Sequence, residues 1–162
     1  MSINTYRASA AYTITLASLA SSSGLTVGRC STSKSNATNK DEILAAGGQI
    51  TASPTGASQI EVWAFAQRAD STWPDIFTAA YSGTDGGFTV RSRDILRASA
   101  KMVGMMIAAS GTNVPYSFGP EDIARLFGYA PKEHALFVVH NTGAALNATA
   151  GNHSLDLSAA YY

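Results

Sequence analysis

Gln59-Ile60-Glu61-Val62-Trp63-Ala64-Phe65-Ala66 decides the fold of this chain. In an extended backbone successive side chains point to opposite faces. Ile60, Val62 and Ala64 then share one face, and Trp63 and Phe65 share the other. Both faces are apolar, so both are covered. The stretch reads as a central strand, or as a strand whose outer face meets a partner.

Working outward, Ala135-Leu136-Phe137-Val138-Val139-His140 is a second strong strand. Tyr12-Thr13-Ile14-Thr15-Leu16 alternates apolar residues with Thr, the mark of a half-buried strand. Leu25 to Cys30, Gln49 to Thr51, Phe88 to Val90, Lys101 to Ala109 and Ser154 to Leu157 are further strand-length segments. Gly104 inside the Lys101 run marks a bulge or a close backbone approach. Asp41 to Leu44 reads as a strand or one helical turn, ended by Gly47-Gly48. Ser31 to Lys40 is a loop by composition, and Ser53-Pro54-Thr55-Gly56 is a turn.

One helix stands out, Gly119 to Gly128. Pro120 suits the first helical position, where its missing N–H costs nothing. Glu121 and Asp122 oppose the positive end of the helix dipole, and Gly128 suits a left-handed stop. Ile123, Leu126 and Phe127 form its apolar face, enough to plug one end of a sandwich. Ser92 is an N-cap for a single turn through Asp94-Ile95-Leu96. The expected fold is mostly β: a β-sandwich or jelly roll with one short α-helix near residues 120–127. Residues 11–162 form one domain. Residues 1–10 are a polar arm that gains order by contact with neighbours.

The 162 residues include 11 Lys+Arg and 11 Asp+Glu, a formal net charge of zero. No positive field for nucleic acid arises from this balance. Charged residues make up 14% of the chain against a usual share of about 25%. A surface poor in charge loses little solvation when another protein covers it, which favours life in an assembly. An ordinary extracellular-type β domain shares the same composition. The first residues lack the charged start and long apolar run of a signal peptide, and no segment approaches the ~18 apolar residues of a membrane span. The sequons at Asn36, Asn147 and Asn152 matter only in a secretory pathway.

Catalytic patterns are missing. There is no Gly-x-Ser-x-Gly elbow, no Gly-x-Gly-x-x-Gly and no Walker-type loop. Glu61 with Asp70 or Asp75 could be paired on paper, but so could any two carboxylates. His134 and His140 share a strand face but stand roughly 20 Å apart if the strand is continuous. His140 and His153, with Asp156, would meet only across the last hairpin. Cys30 is the single cysteine, and burial as a small hydrophobe suits it better than a reactive thiol. No catalytic residue, cofactor or metal is expected.

Three segments carry a resemblance. They are Ser71-Thr72-Trp73-Pro74-Asp75 followed by Gly83-Thr84-Asp85; Tyr116-Ser117-Phe118-Gly119-Pro120; and Val139-His140-Asn141-Thr142-Gly143-Ala144-Ala145-Leu146 running on to Gly151-Asn152-His153. Ile14 to Ala20 and Gln59 to Val62 belong to the same picture. Together they resemble a family of small virion structural proteins of tailed bacteriophages. Such a resemblance implies a non-enzymatic β-sandwich on the virion, decorating the head as a cement protein or sitting in the neck or tail. It implies the major capsid protein or another virion protein as partner, a homo-oligomer, and no nucleic acid or membrane. It carries over no catalytic residue.

The interface candidates are the aromatics Trp73, Tyr81, Tyr116, Tyr161 and Tyr162. Interface hot spots favour Trp, Tyr and Arg. The competing reading caps one end of the sandwich with Trp73 and leaves the tyrosines in the core. A sugar-binding face is a third reading, weakened because no carboxylate or amide cluster accompanies these rings in the sequence. The turn His140-Asn141-Thr142-Gly143 is expected to be held by side-chain to backbone hydrogen bonds.

Overall fold

Antiparallel pairing gathers the strands into two sheets, seen in a computed structural model that describes residues 5–161. In chain order the elements are β1 (Thr5–Tyr6), β2 (Ala10–Ala11), β3 (Val27–Cys30), β4 (Lys34–Ser35), β5 (Ile43–Ala52), β6 (Ser58–Ala66) and β7 (Gly86–Thr89). Helix α1 (Arg93–Ser99), β8 (Lys101–Ala108), β9 (Val114–Asp122), α2 (Ile123–Phe127), β10 (Glu133–His140), a 3-10 turn (Ala150–Asn152) and β11 (Ser154–Tyr161) follow. The first sheet runs β1-β11-β5-β9, with β2 also on β11. The second runs β7-β3-β10-β6-β8, with β4 also on β10. The fold is a β-sandwich, as the strand pattern predicts.

The deciding stretch is β6, and it is central: β10 pairs along one side, β8 along the other. Its Ile60, Val62 and Ala64 join Leu136 and Val138 of β10 in the core between the sheets. Its Trp63 and Phe65 join Phe137 and Val139 in a second core on the outer face of the same sheet. The long β6–β7 connection folds back to cover that face, bringing Ile76, Phe77 and Tyr81, while α1 brings Leu96. The structure therefore buries this sheet on both sides, which explains why β6 and β10 read as unbroken apolar runs.

Three expectations need correction. Tyr12 to Leu16 is not a strand. Tyr12 and Leu16 are buried and Thr13 and Thr15 exposed, as the alternation requires, but the segment crosses between sheets. Tyr12 N donates to Leu155 O at 2.7 Å, and Thr32 N donates to Thr13 O at 2.8 Å. Gly47-Gly48 ends nothing either, because β5 runs through both. A Cβ at position 48 would overlap Ser154 O, so this glycine admits the β11 backbone rather than making a turn. Pro120 does not open the helix. It lies in β9, an edge strand, where the register with β5 shifts between Ala46 and Gly48. Edges and bulges are where a sheet tolerates Pro. Helix α2 starts later, at Ile123, because Asp122 caps it: its Oδ1 accepts from Ala124 N and from Leu44 N, both at 3.0 Å. Gly128 does end it, at φ 77°.

The arm pairs within the chain. Thr5 and Tyr6 pair with Tyr161 and Ala160, and Ala10 and Ala11 pair with Leu157 and Asp156. Residues 5–6 and 10–11 are thus held by the chain's own β11. Met1 to Asn4 lie outside the described residues.

Other expectations hold. Ser92 Oγ accepts from Ile95 N at 3.1 Å and caps α1, which runs longer than a single turn. Gly104 serves both proposed ends: the β6–β8 register shifts beside it, and a Cβ there would sit 2.7 Å from Phe118.

Candidate functional site

Strand β8 closes one edge of the second sheet. Its sequence, Lys-Met-Val-Gly-Met-Met-Ile-Ala, puts Val103, Met106 and Ala108 inward, where they are buried. Met105 and Ile107 face outward and are 50% and 68% exposed. Register sets Ile107 beside Gln59, Met105 beside Glu61 and Met102 beside Trp63. Met102 and, on α1, Ile95 are also exposed. Only Lys101, at the start of the strand, carries charge. Edge strands are normally guarded by charge, Pro or a twist. The second half of β8 has no charge and no Pro, and its guard is the irregularity beside Gly104.

Beside this stripe lies the most buried charge pair among the described residues. Glu61 is 1% exposed, and its two oxygens accept from Arg93 Nη1 at 2.7 Å and Arg93 Nη2 at 2.8 Å. Gln59 Nε2 and Trp63 Nε1 donate to the same carboxylate at 2.6 and 2.8 Å. Every acceptor position is engaged, so the group clamps α1 to the sheet and holds no free edge for proton transfer.

The predicted interface aromatics divide. Tyr81 is buried, and its ring meets Phe65 at 4.9 Å and Trp73 at 4.8 Å in edge-to-face contacts. Its hydroxyl donates to Ser31 O at 2.6 Å. In this chain Tyr81 is a core residue, which corrects its reading as an exposed anchor. Trp73 is half-buried over the same cluster, on the outer face of the second sheet rather than at an end of the sandwich. Tyr116 packs partly into the main core, with its hydroxyl 3.3 Å from Ala109 O. Tyr161 is half-exposed under the Arg7 guanidinium, 4.5 Å from the ring centre. Tyr162 lies outside the described residues.

The histidines go separate ways. His140 Nδ1 bonds Thr142 Oγ1 at 2.9 Å and Nε2 bonds Leu19 O at 3.0 Å. His153 bonds Asn147 O at 2.9 Å and accepts from Thr51 N at 3.4 Å. His134 Nε2 bonds the buried Tyr12 hydroxyl at 2.8 Å. Among the described residues, no three His, Cys, Asp or Glu side chains converge as a metal site would require. Cys30 is fully buried, and desolvation pushes its thiol far above its ordinary pKa, so it stays protonated. The turn after His140 is held as expected: Gln59 N donates to Asn141 Oδ1 at 2.7 Å, and Thr142 Oγ1 donates to Ala144 O at 2.9 Å.

Folding also gathers what the sequence keeps apart. Asn147 Nδ2 donates to Asn113 Oδ1 at 2.8 Å, and Asn152 Nδ2 donates to Asn147 Oδ1 at 3.1 Å. Ser53 Oγ adds a 3.3 Å contact to Asn113. This exposed amide cluster joins the β5–β6, β8–β9 and β10–β11 loops. Asn36, by contrast, is buried with both amide atoms on the Asp41 backbone, so its sequon is closed. Neither the exposed stripe nor the amide cluster has a local motif; each depends on which strand ends up at an edge and which loops share an end.

No family model matches the chain, and no curated protein matches it.

Proposed function

We propose that this protein is a non-enzymatic structural protein of a tailed-phage virion, a head decoration protein that clamps capsid subunits. The observation that carries the reading is the exposed Met102, Met105 and Ile107 stripe on the edge strand β8. Burying what remains exposed of Met105 and Ile107 contributes on the order of 1–2 kcal/mol each. One such contact is weak. Repeated over a symmetric lattice, it becomes strong through effective concentration. The low charge of the chain and its resemblance to virion proteins support the same assignment, with the major capsid protein as partner and a homo-oligomer as the working form. A neck or tail adaptor would use the same stripe in fewer copies.

The test is a mass-spectrometric copy count against the major capsid protein in purified particles. A ratio near a third or above supports decoration. A few per cent moves the protein to the neck or tail, and absence from particles rejects the virion reading.

One observation favours a second reading, a carbohydrate-binding module. The Asn113, Asn147 and Asn152 cluster supplies the amides that sugar hydroxyls would need. A glycan array decides it: no bound glycan removes this reading.

A further inference from the structure

A cleft of about 150 Å3 opens between the N-terminal arm and the loop that ends at Asp41. Arg7, Lys34, Asn39, Asp41 and His134 line it. Ala8, Ala10, Leu44, Leu157 and Ala159 also line it, so the charged groups stand on an apolar floor. Arg7 is held in place from two sides. Its Nε donates to Asp41 Oδ1 at 2.6 Å, and its guanidinium lies over the Tyr161 ring. Its Nη2 makes one long contact to Asn39 O at 3.5 Å, and Nη1 makes no hydrogen bond among the described residues. Lys34 Nζ has no hydrogen-bond partner among them and stands 5.7 Å from the Tyr12 ring. Two cations against one carboxylate leave the cleft one net positive charge.

His134 adds a second, independent sign. It is fully buried, and Tyr12 takes its Nε2. Its Nδ1 is the buried side-chain nitrogen or oxygen left without a partner among the described residues. Leaving such a group unpaired is unfavourable, because burial strips its water and nothing replaces it. In the tautomer whose Nε2 accepts from the Tyr12 hydroxyl, Nδ1 carries the proton and offers a hydrogen bond.

We propose that this cleft binds a carboxylate group, with Lys34 and the free edge of Arg7 as its charged partners and His134 Nδ1 donating to it through one water. The volume is about that of five water molecules, room for one carboxylate and part of its hydration shell. Asp41 in the same wall repels a dianion, so a monoanion is favoured over phosphate. The carboxylate comes from a free small acid or from an acidic terminus of another protein. This site is distinct from the β8 stripe and does not rest on the virion reading.

The experiment uses the whole isolated chain and follows the His134 ring nitrogens by NMR while sodium acetate is added, with sodium chloride at equal ionic strength as control. A saturable shift with a dissociation constant of about 1–10 mM is expected. Lys34→Met should weaken it at least fivefold while leaving the melting temperature unchanged. No saturable shift, an equal response to chloride, or unchanged acetate affinity in Lys34→Met overturns the proposal. Saturable binding of phosphate but not acetate overturns the choice of carboxylate. A short peptide with a free C-terminus, compared with its amidated form, separates the sources. Tighter binding than acetate marks a protein terminus, and equal binding marks a free acid.

Discussion

Arg93 grips the buried Glu61 carboxylate with two hydrogen bonds of 2.7 and 2.8 Å, and so pins the first residue of α1 onto the middle of β6. The same guanidinium reaches Leu25 O at 3.1 Å, tying in the entry to β3. Breaking such a pair by removing one partner strands the other charge in a dry site. Arg93→Ala should destabilise the protein by about 3–5 kcal/mol. Adding Glu61→Leu to that variant should recover part of the loss. Urea denaturation of the two variants checks both statements, and equal stabilities would show that the stranded carboxylate is not the cause.

Glycine 48 gives a sharper steric test. Gly48→Ala forces its methyl group into Ser154 O and should cost about 2–3 kcal/mol, the scale of overpacking. Gly56→Ala has open space around it and should stay within about 0.5 kcal/mol of the parent, or gain slightly. Thermal melts of the pair are sufficient.

Acid should weaken the fold through His134. Desolvation, with a smaller push from Lys34, lowers its pKa from 6.5 to about 4. The unfolded chain therefore takes up this proton near pH 6.5, and the folded chain only near pH 4. The folded state binds fewer protons in between, so stability is complete above pH 6.5 and falls as pH drops towards 4. The loss is up to about 3 kcal/mol from this residue. Burial also lowers His140, which adds a loss of the same sign. Urea midpoints at pH 7.5 and pH 4.5 measure the drop, and His134→Gln should reduce it, leaving the part that His140 contributes.

Surface and core aromatics should respond differently from the β8 stripe. Tyr81→Ala empties a packed ring site and should cost about 3–5 kcal/mol in the isolated chain. Ile107→Lys should change monomer stability by less than about 0.5 kcal/mol while abolishing incorporation into particles. If Ile107→Lys assembles normally, β8 is not the contact surface.

How far the sequence could be read depended on whether the deciding contact was local. Gln59 to Ala66 was legible because two apolar faces at period two leave one reading, a covered strand. Gly47-Gly48 was not, since glycine serves both turns and close approaches, and the choice rests on Ser154 in a distant strand. Pro120 misled for a similar reason. A helix start and an edge bulge both accept Pro, and only the β5 partner separates them. Trp73 and Tyr81 sit in a segment with loop composition, which gave no sign that the loop would fold back as a lid over Phe65 and Phe137. Met105 and Ile107 were legible as strand residues. Their exposure was not, because it follows from the place of β8 at the end of a sheet. The cleft at His134 and the amide cluster at Asn147 each join residues from separate segments, and no spacing rule reaches across such gaps.

Strand β10 presents Leu136 and Val138 to one core and Phe137 and Val139 to the other. The two hydrophobic layers thus share a wall, and neither survives the loss of that wall. Loosening the outer lid exposes the back of the strand that supports the sandwich, and opening the sandwich removes the floor beneath the lid. The protein should accordingly melt as one cooperative unit. Such a chain should stay folded or unfold entirely, without a half-open form to expose sticky strands.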